Sequence, residues 1–144
     1  MPYLNIQTNL PLTRRAERIV LRNASVLIAT ELGKPEEFVM LALQDNVHML
    51  FAGNDEPVAF LELKAIGLPV RRTKALSAKL CDLVERHLGI PSSRVYVKFI
   101  DVRRGMWGVE GRHVLSFPAG TGSGRRPPRG DGLMEPAIST TWRS

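Results

Sequence analysis

A repeat constrains this chain more than any single residue does. Leu32-Gly33-Lys34-Pro35 and Leu88-Gly89-Ile90-Pro91 are two copies of one stop signal, offset by 56 residues. Each closes a stretch of helical periodicity. Ala16, Ile19, Val20, Ala24, Leu27 and Ile28 form an apolar stripe before the first copy, and Leu76, Leu80, Leu83, Val84 and Leu88 form one at the second. Thr13 is a suitable N-cap for the first helix, and Gly33 and Gly89 are suitable C-terminal glycines. The same offset carries residues 3–8, which alternate as a half-buried strand, onto 59–64, and the apolar run 38–43 onto 94–99. The chain therefore reads as two consecutive β-α-β units, with strands at 3–8, 38–43, 58–65 and 94–100 and a second helix over 71–87. Met106-Trp107 is read as a short last strand. Within each unit the two strands should pair in parallel through a right-handed crossover. Two such units make an α+β, α/β-sandwich fold: a four-stranded mixed sheet with both helices on one face. The strands carry long apolar runs, so the second face needs a cover that two helices cannot provide, which implies oligomerisation.

At 144 residues, 44% hydrophobic and 24% charged, the chain suits one ordinary globular core. No apolar stretch is long enough to span a bilayer, and the polar N-terminus has no signal-peptide pattern. The single cysteine, Cys81, lies among Leu80, Leu83 and Val84 and reads as a core residue. One thiol allows no internal disulfide and fits a reducing, cytoplasmic location. The net charge of +6 is spread over helix faces, loops and tail without a nucleic-acid-binding motif, so no specific nucleic-acid partner and no membrane partner are expected. His48, His87 and His113 lack metal-ligand spacing. Asp55, Glu56 and Asp101 read as turn acids, and no paired-carboxylate site emerges. Composition changes at about Ser116. Residues 1–115 are expected to form the folded domain and 116–144, rich in Gly, Pro and Arg, a disordered tail. The tripeptide Arg129-Gly130-Asp131 in that tail is the kind of match such composition produces by chance.

Pro2 is the first residue able to do chemistry. A small residue after the initiator Met is normally exposed by Met removal, which would leave a secondary amine at the head of a strand. Such an amine titrates near 8 in water, and burial or a nearby lysine lowers that value, making a general base for neutral pH. Lys34 directly follows the helix-closing glycine. By itself it could simply favour the negative end of the helix.

Pro2, Gly33-Lys34-Pro35 leading into Phe38-Val39-Met40, Phe51-Ala52-Gly53-Asn54-Asp55-Glu56-Pro57, Ile66-Gly67, Leu88-Gly89-Ile90-Pro91, Arg94-Val95-Tyr96 and Trp107-Gly108 stand in one order over residues 2 to about 110. In that order and spacing they resemble the tautomerase superfamily, and within it the macrophage migration inhibitory factor family of phenylpyruvate and dopachrome tautomerases. The resemblance implies a homotrimer with an active site at each subunit boundary and an isomerase reaction needing neither metal nor organic cofactor. It implies Pro2 as the catalytic acid/base acting on an aromatic α-keto acid. Lys34 would bind the substrate carboxylate and stabilise enolate charge, and Ile66, Phe38 and Trp107 would line an apolar slot. Tyr96 and Lys98 would be reached from the neighbouring subunit. Family members can also leave the cell without a signal peptide, so export remains an expectation beside a cytoplasmic location.

The chain departs from the family pattern in several places. Lys98 stands where asparagine is common, and this second cation should draw anionic substrate. Phe38 replaces a common tyrosine. Val58 and Leu61 stand where some animal members carry a Cys-x-x-Cys pair, so thiol-redox activity is not expected. Gly108 to Val114 lacks the usual ending. That divergence and the basic tail motivate a competing expectation, a cytokine-like trimer that binds a protein partner with residual or no enzyme activity. A third is sister chemistry on the same scaffold, such as dehalogenation or decarboxylation of a small unsaturated acid.

Overall fold

The computed structural model describes residues 1–113. The expected tail at 116–144 lies outside the described residues. Strand β1 (Tyr3–Thr8) leads to helix α1 (Arg14–Leu32), then β2 (Met40–Gln44), β3 (Ala59–Ile66), helix α2 (Val70–Leu88) and β4 (Val95–Val102). A two-stranded hairpin, β5 (Gly108–Val109) with β6 (Arg112–His113), follows.

The 56-residue offset holds element by element. It maps α1 onto α2 at both ends, and the short 3-10 turn Glu36–Phe38 onto Ser92–Arg94. Local chemistry accounts for these boundaries. Thr13 caps α1, its hydroxyl accepting from the Ala16 N–H at 3.2 Å. Gly33 and Gly89 end the helices at φ 59° and 69°, a left-handed conformation costly for residues with a Cβ. Two sequence readings shift. Phe38 belongs to the 3-10 turn that Pro35 opens rather than to β2, which starts at Met40. Met106 closes a third 3-10 turn, Arg104–Met106, so the short late strand lies at Gly108–Val109 rather than at Met106-Trp107. Its two-residue turn uses Glu110 and Gly111, both at positive φ, the pattern of a tight hairpin.

The sheet order is β2-β1-β3-β4. β1 pairs with β2 and β3 with β4 in parallel, as each β-α-β unit requires, and the two units join through an antiparallel β1–β3 contact. The sheet is therefore mixed, with both helices on one face. Leu4 and Ile6 from β1, Leu61 and Leu63 from β3, Val20 and Ile28 from α1, and Leu76 and Leu80 from α2 fill the space between. Burying each such side chain stabilises the fold by about 1.5–3 kcal/mol. Thr8 is the buried polar residue of this core. Its hydroxyl donates to the Val58 carbonyl at 2.9 Å and accepts from the Leu10 N–H at 3.2 Å.

The opposite sheet face differs from what apolar runs suggested. β1 and β3 alternate strictly between buried and half-buried residues. The outward set includes Asn5 and Gln7, and Glu62 bonded to Lys64 at 3.1 Å and to Lys98 at 3.7 Å. The same face also carries Tyr3, Met40, Phe60, Ile66 and Tyr96, so a neighbour lying on it would cover charge pairs and apolar side chains together.

Candidate active site

Because β1 and β3 are antiparallel, the start of β1 lies beside the end of β3, and the same end of the sheet holds the start of β2 and the end of β4. That topology collects the predicted chemistry. Pro2 continues the ladder, its carbonyl accepting from the Met40 N–H at 3.0 Å, and it is fully buried. The chain amine at this point is that of Met1, standing in for the imino group of Pro2 one residue on. Partial burial lowers its pKa first, and the positive charge of Lys34 lowers it further.

Lys34 is held by the closure of α1. Its N–H donates to the Ala29 carbonyl at 3.0 Å, and the Gly33 N–H donates to that of Thr30 at 3.3 Å. The side chain projects beyond the helix end and makes no ion pair among the described residues. The repeat makes this position informative. Its counterpart, one repeat on, is Ile90, which is fully buried in the core. The fold thus accepts an aliphatic side chain here, and the first repeat carries an exposed cation instead.

Lys34 and Ile66 line one crevice of about 200 Å³, with Gly67, Leu68 and Pro69 forming its wall. Asp101 steadies that wall by accepting from the Leu68 N–H at 3.1 Å. Arg71 and Arg72, in the first turn of α2, also line it, and no acidic residue does. These two arginines were not singled out in the sequence. A signal was nonetheless present, since cations at a helix start oppose the macrodipole, and α2 has neither an acidic residue in its first turn nor a side-chain N-cap.

Phe38 follows Lys34 in the 3-10 turn and is 42% exposed, available as a wall but not packed as one. Tyr96 and Lys98 do not join this group within one chain. They lie on the outward side of β4, opposite Phe60 and Glu62, several residues from the end where Pro2 sits. Tyr96 packs edge-on against Phe51 with ring centroids 5.0 Å apart, yet stays 62% exposed. Lys98 is paired with Glu62, whose carboxyl is held below the ordinary range chiefly by its hydrogen bond to Lys64. Trp107 is half-buried after the Arg104–Met106 turn, its N–H donating to the Arg104 carbonyl at 3.4 Å. One chain therefore presents a cation and an apolar residue at a crevice, with the amine terminus near enough to feel that cation. The aromatic and second-cation residues stand apart on an exposed strand.

Comparison with known proteins bears on the family and the fold. The profile of the macrophage migration inhibitory factor family matches residues 1–115. A macrophage migration inhibitory factor homolog of Brugia malayi is 35% identical over 103 residues, 71% of this chain and 89% of that protein. A D-dopachrome decarboxylase of Gallus gallus is 30% identical over 119 residues, 81% of this chain and 99% of that protein. Among solved structures, a homologue from Prochlorococcus marinus superposes with a TM-score of 0.74 at 41% identity, covering 78% of this chain and 98% of that one.

Proposed function

This chain belongs to the macrophage migration inhibitory factor family, and on that premise we propose that it is a cofactor-independent keto–enol tautomerase of aromatic α-keto acids, phenylpyruvate being the model substrate. Tautomerase-type chemistry is the family's general activity; the substrate and the role of Pro2 are our reading. The observation that carries it is the chain's amine end at Met1-Pro2, close enough to Lys34 that burial and then that charge favour the neutral form of the Met1 amine, a direction the Pro2 amine should share.

With Met1 removed, the Pro2 nitrogen takes a proton from the carbon next to the substrate carbonyl. The C–H electron pair moves into the new C=C bond, and the carbonyl π pair moves onto oxygen. The protonated secondary amine of Pro2 then returns a proton to that oxygen, giving the enol. Lys34 holds the substrate carboxylate by a charge-assisted contact and offsets the enolate charge. Ile66, Phe38 and Trp107 supply apolar walls, and a neighbouring subunit brings Tyr96 and Lys98 in a homotrimer. Phenylpyruvate enolisation by the wild-type protein no faster than by Pro2→Gly would overturn this reading.

The similarity to a D-dopachrome decarboxylase favours a second reading, loss of carbon dioxide from a cyclic amino-acid-derived substrate at the same site. Here the Lys34 contact would hold the leaving carboxylate. Release of carbon dioxide from D-dopachrome, measured directly, separates the two.

A further inference from the structure

The crevice that Lys34 and Ile66 line, at the end of the sheet where Pro2 lies, carries more positive charge than one carboxylate requires. Lys34, Arg71 and Arg72 all line it, together with the positive end of α2, and no acid does. The two arginines differ in employment. Arg72 donates from Nη1 to the Glu31 carbonyl, tying α2 to the end of α1. Glu31's own carboxylate is taken by Lys79. Arg71 has no hydrogen-bond or ion-pair partner among the described residues, and neither has the Lys34 ammonium. Two unneutralised cations at the rim of a small cavity repel one another, and Arg71 also faces an unfavourable helix dipole. The negative end of α1 offsets part of this for Lys34, but nothing among the described residues does so for Arg71. An anion between them would relieve it, and guanidinium is the side chain best shaped to take a carboxylate through two parallel hydrogen bonds.

We propose that Arg71, with the first turn of α2, forms a second anion subsite in this crevice, so that the preferred substrates are dianionic keto acids. Lys34 takes the carboxylate next to the reacting carbonyl, and Arg71 takes a second carboxylate at the distal end. This specificity rests on the tautomerase reading above, but the subsite itself can be tested without turnover.

The experiment compares phenylpyruvate with 4-carboxyphenylpyruvate, and 2-oxobutanoate with oxaloacetate, as substrates of the full chain. At least one dianion should have a higher kcat/KM than its monoanionic partner. Arg71→Ala should shrink that preference roughly tenfold, the worth of one charged hydrogen-bonded contact. Arg18→Ala, which removes the same charge from the surface of α1, should leave the preference as it was. No preference for either dianion, or a preference that survives Arg71→Ala, overturns the subsite. If no keto acid is turned over in a Pro2-dependent way, the tautomerase reading fails and the subsite is judged by binding. Backbone amides of Val70 to Thr73 should then saturate at lower oxaloacetate than 2-oxobutanoate concentration, and Arg71→Ala should abolish the difference. Equal titration by both ligands would again overturn it.

Discussion

At the scale of single residues, the decisive pair is Pro2 and Lys34. A general base that acts in the chemical step contributes about 10²–10⁴-fold, so Pro2→Gly should lower kcat by that order while the circular dichroism spectrum stays native. The pH dependence follows from the same environment. The Met1 amine is pushed below its usual value near 8 by burial and then by Lys34, and the Pro2 amine one residue on should be pushed in the same direction. The working base is the neutral amine, so kcat/KM should fall as pH drops through that lowered value and be flat above it. Stability moves in the same direction. The unfolded chain binds this proton more readily than the folded one, so stability should decline as pH falls from about 8 to the folded pKa and then level off. A profile whose acidic limb sits at or above 8 would contradict both statements. Lys34→Ile tests the contrast with Ile90. An exposed aliphatic residue here should change stability by less than about 0.5 kcal/mol in urea unfolding, because Lys34 is exposed and makes no ion pair among the described residues. The KM for phenylpyruvate should nonetheless rise roughly tenfold or more with loss of the carboxylate contact.

At the scale of elements, the repeat sets where stability resides. α1 and α2 bury matched stripes against one sheet face, and both end in a left-handed glycine. Leu80 is fully buried in the middle of α2 and packs into the shared cluster. Leu80→Ala should therefore cost about 2–5 kcal/mol by denaturant unfolding. Gly89→Ala should cost about 1 kcal/mol or somewhat more. No atom lies within 4 Å of the Cβ it would add, so the penalty is purely that of the positive φ. The strands add a different lesson. Along β1 and β3, strict alternation places every second residue on the far face, where Glu62, Lys64 and Lys98 pair beside Tyr3 and Phe60. Glu62 has its pKa depressed by those lysines, Lys64 first. Its contribution is present above the ordinary carboxylate value and is lost as pH falls through the depressed one.

At the scale of the whole molecule, the two halves of the proposed site lie on different parts of one chain. Pro2, Lys34 and Ile66 share an end of the sheet, whereas Tyr96 and Lys98 face outward from β4. A closed trimer would bring one set against the other. Sedimentation of the mature protein should give three times the 16.0 kDa chain mass, and dilution that releases single chains should abolish tautomerase activity. Full activity in a sedimenting monomer would rule out a shared site.

The sequence by itself determined the elements, their order and the parallel pairing within each unit. These follow from signals a few residues apart: apolar stripes at helical spacing, a threonine cap, glycines at positive φ, and a right-handed crossover that leaves little choice of topology. It also singled out Pro2 and Lys34. Only the tertiary structure decided that β1 and β3 run antiparallel at the centre of the sheet. That contact spans more than fifty residues and no local signal encodes it. It brings the start of β1, the end of α1 and the first turn of α2 to one crevice, and so sets Arg71 and Arg72 beside Lys34. Read along the chain, those arginines are two charges at a helix start. Their convergence is a property of the fold, because electrostatic neighbours are set by distance in space and not by separation in sequence.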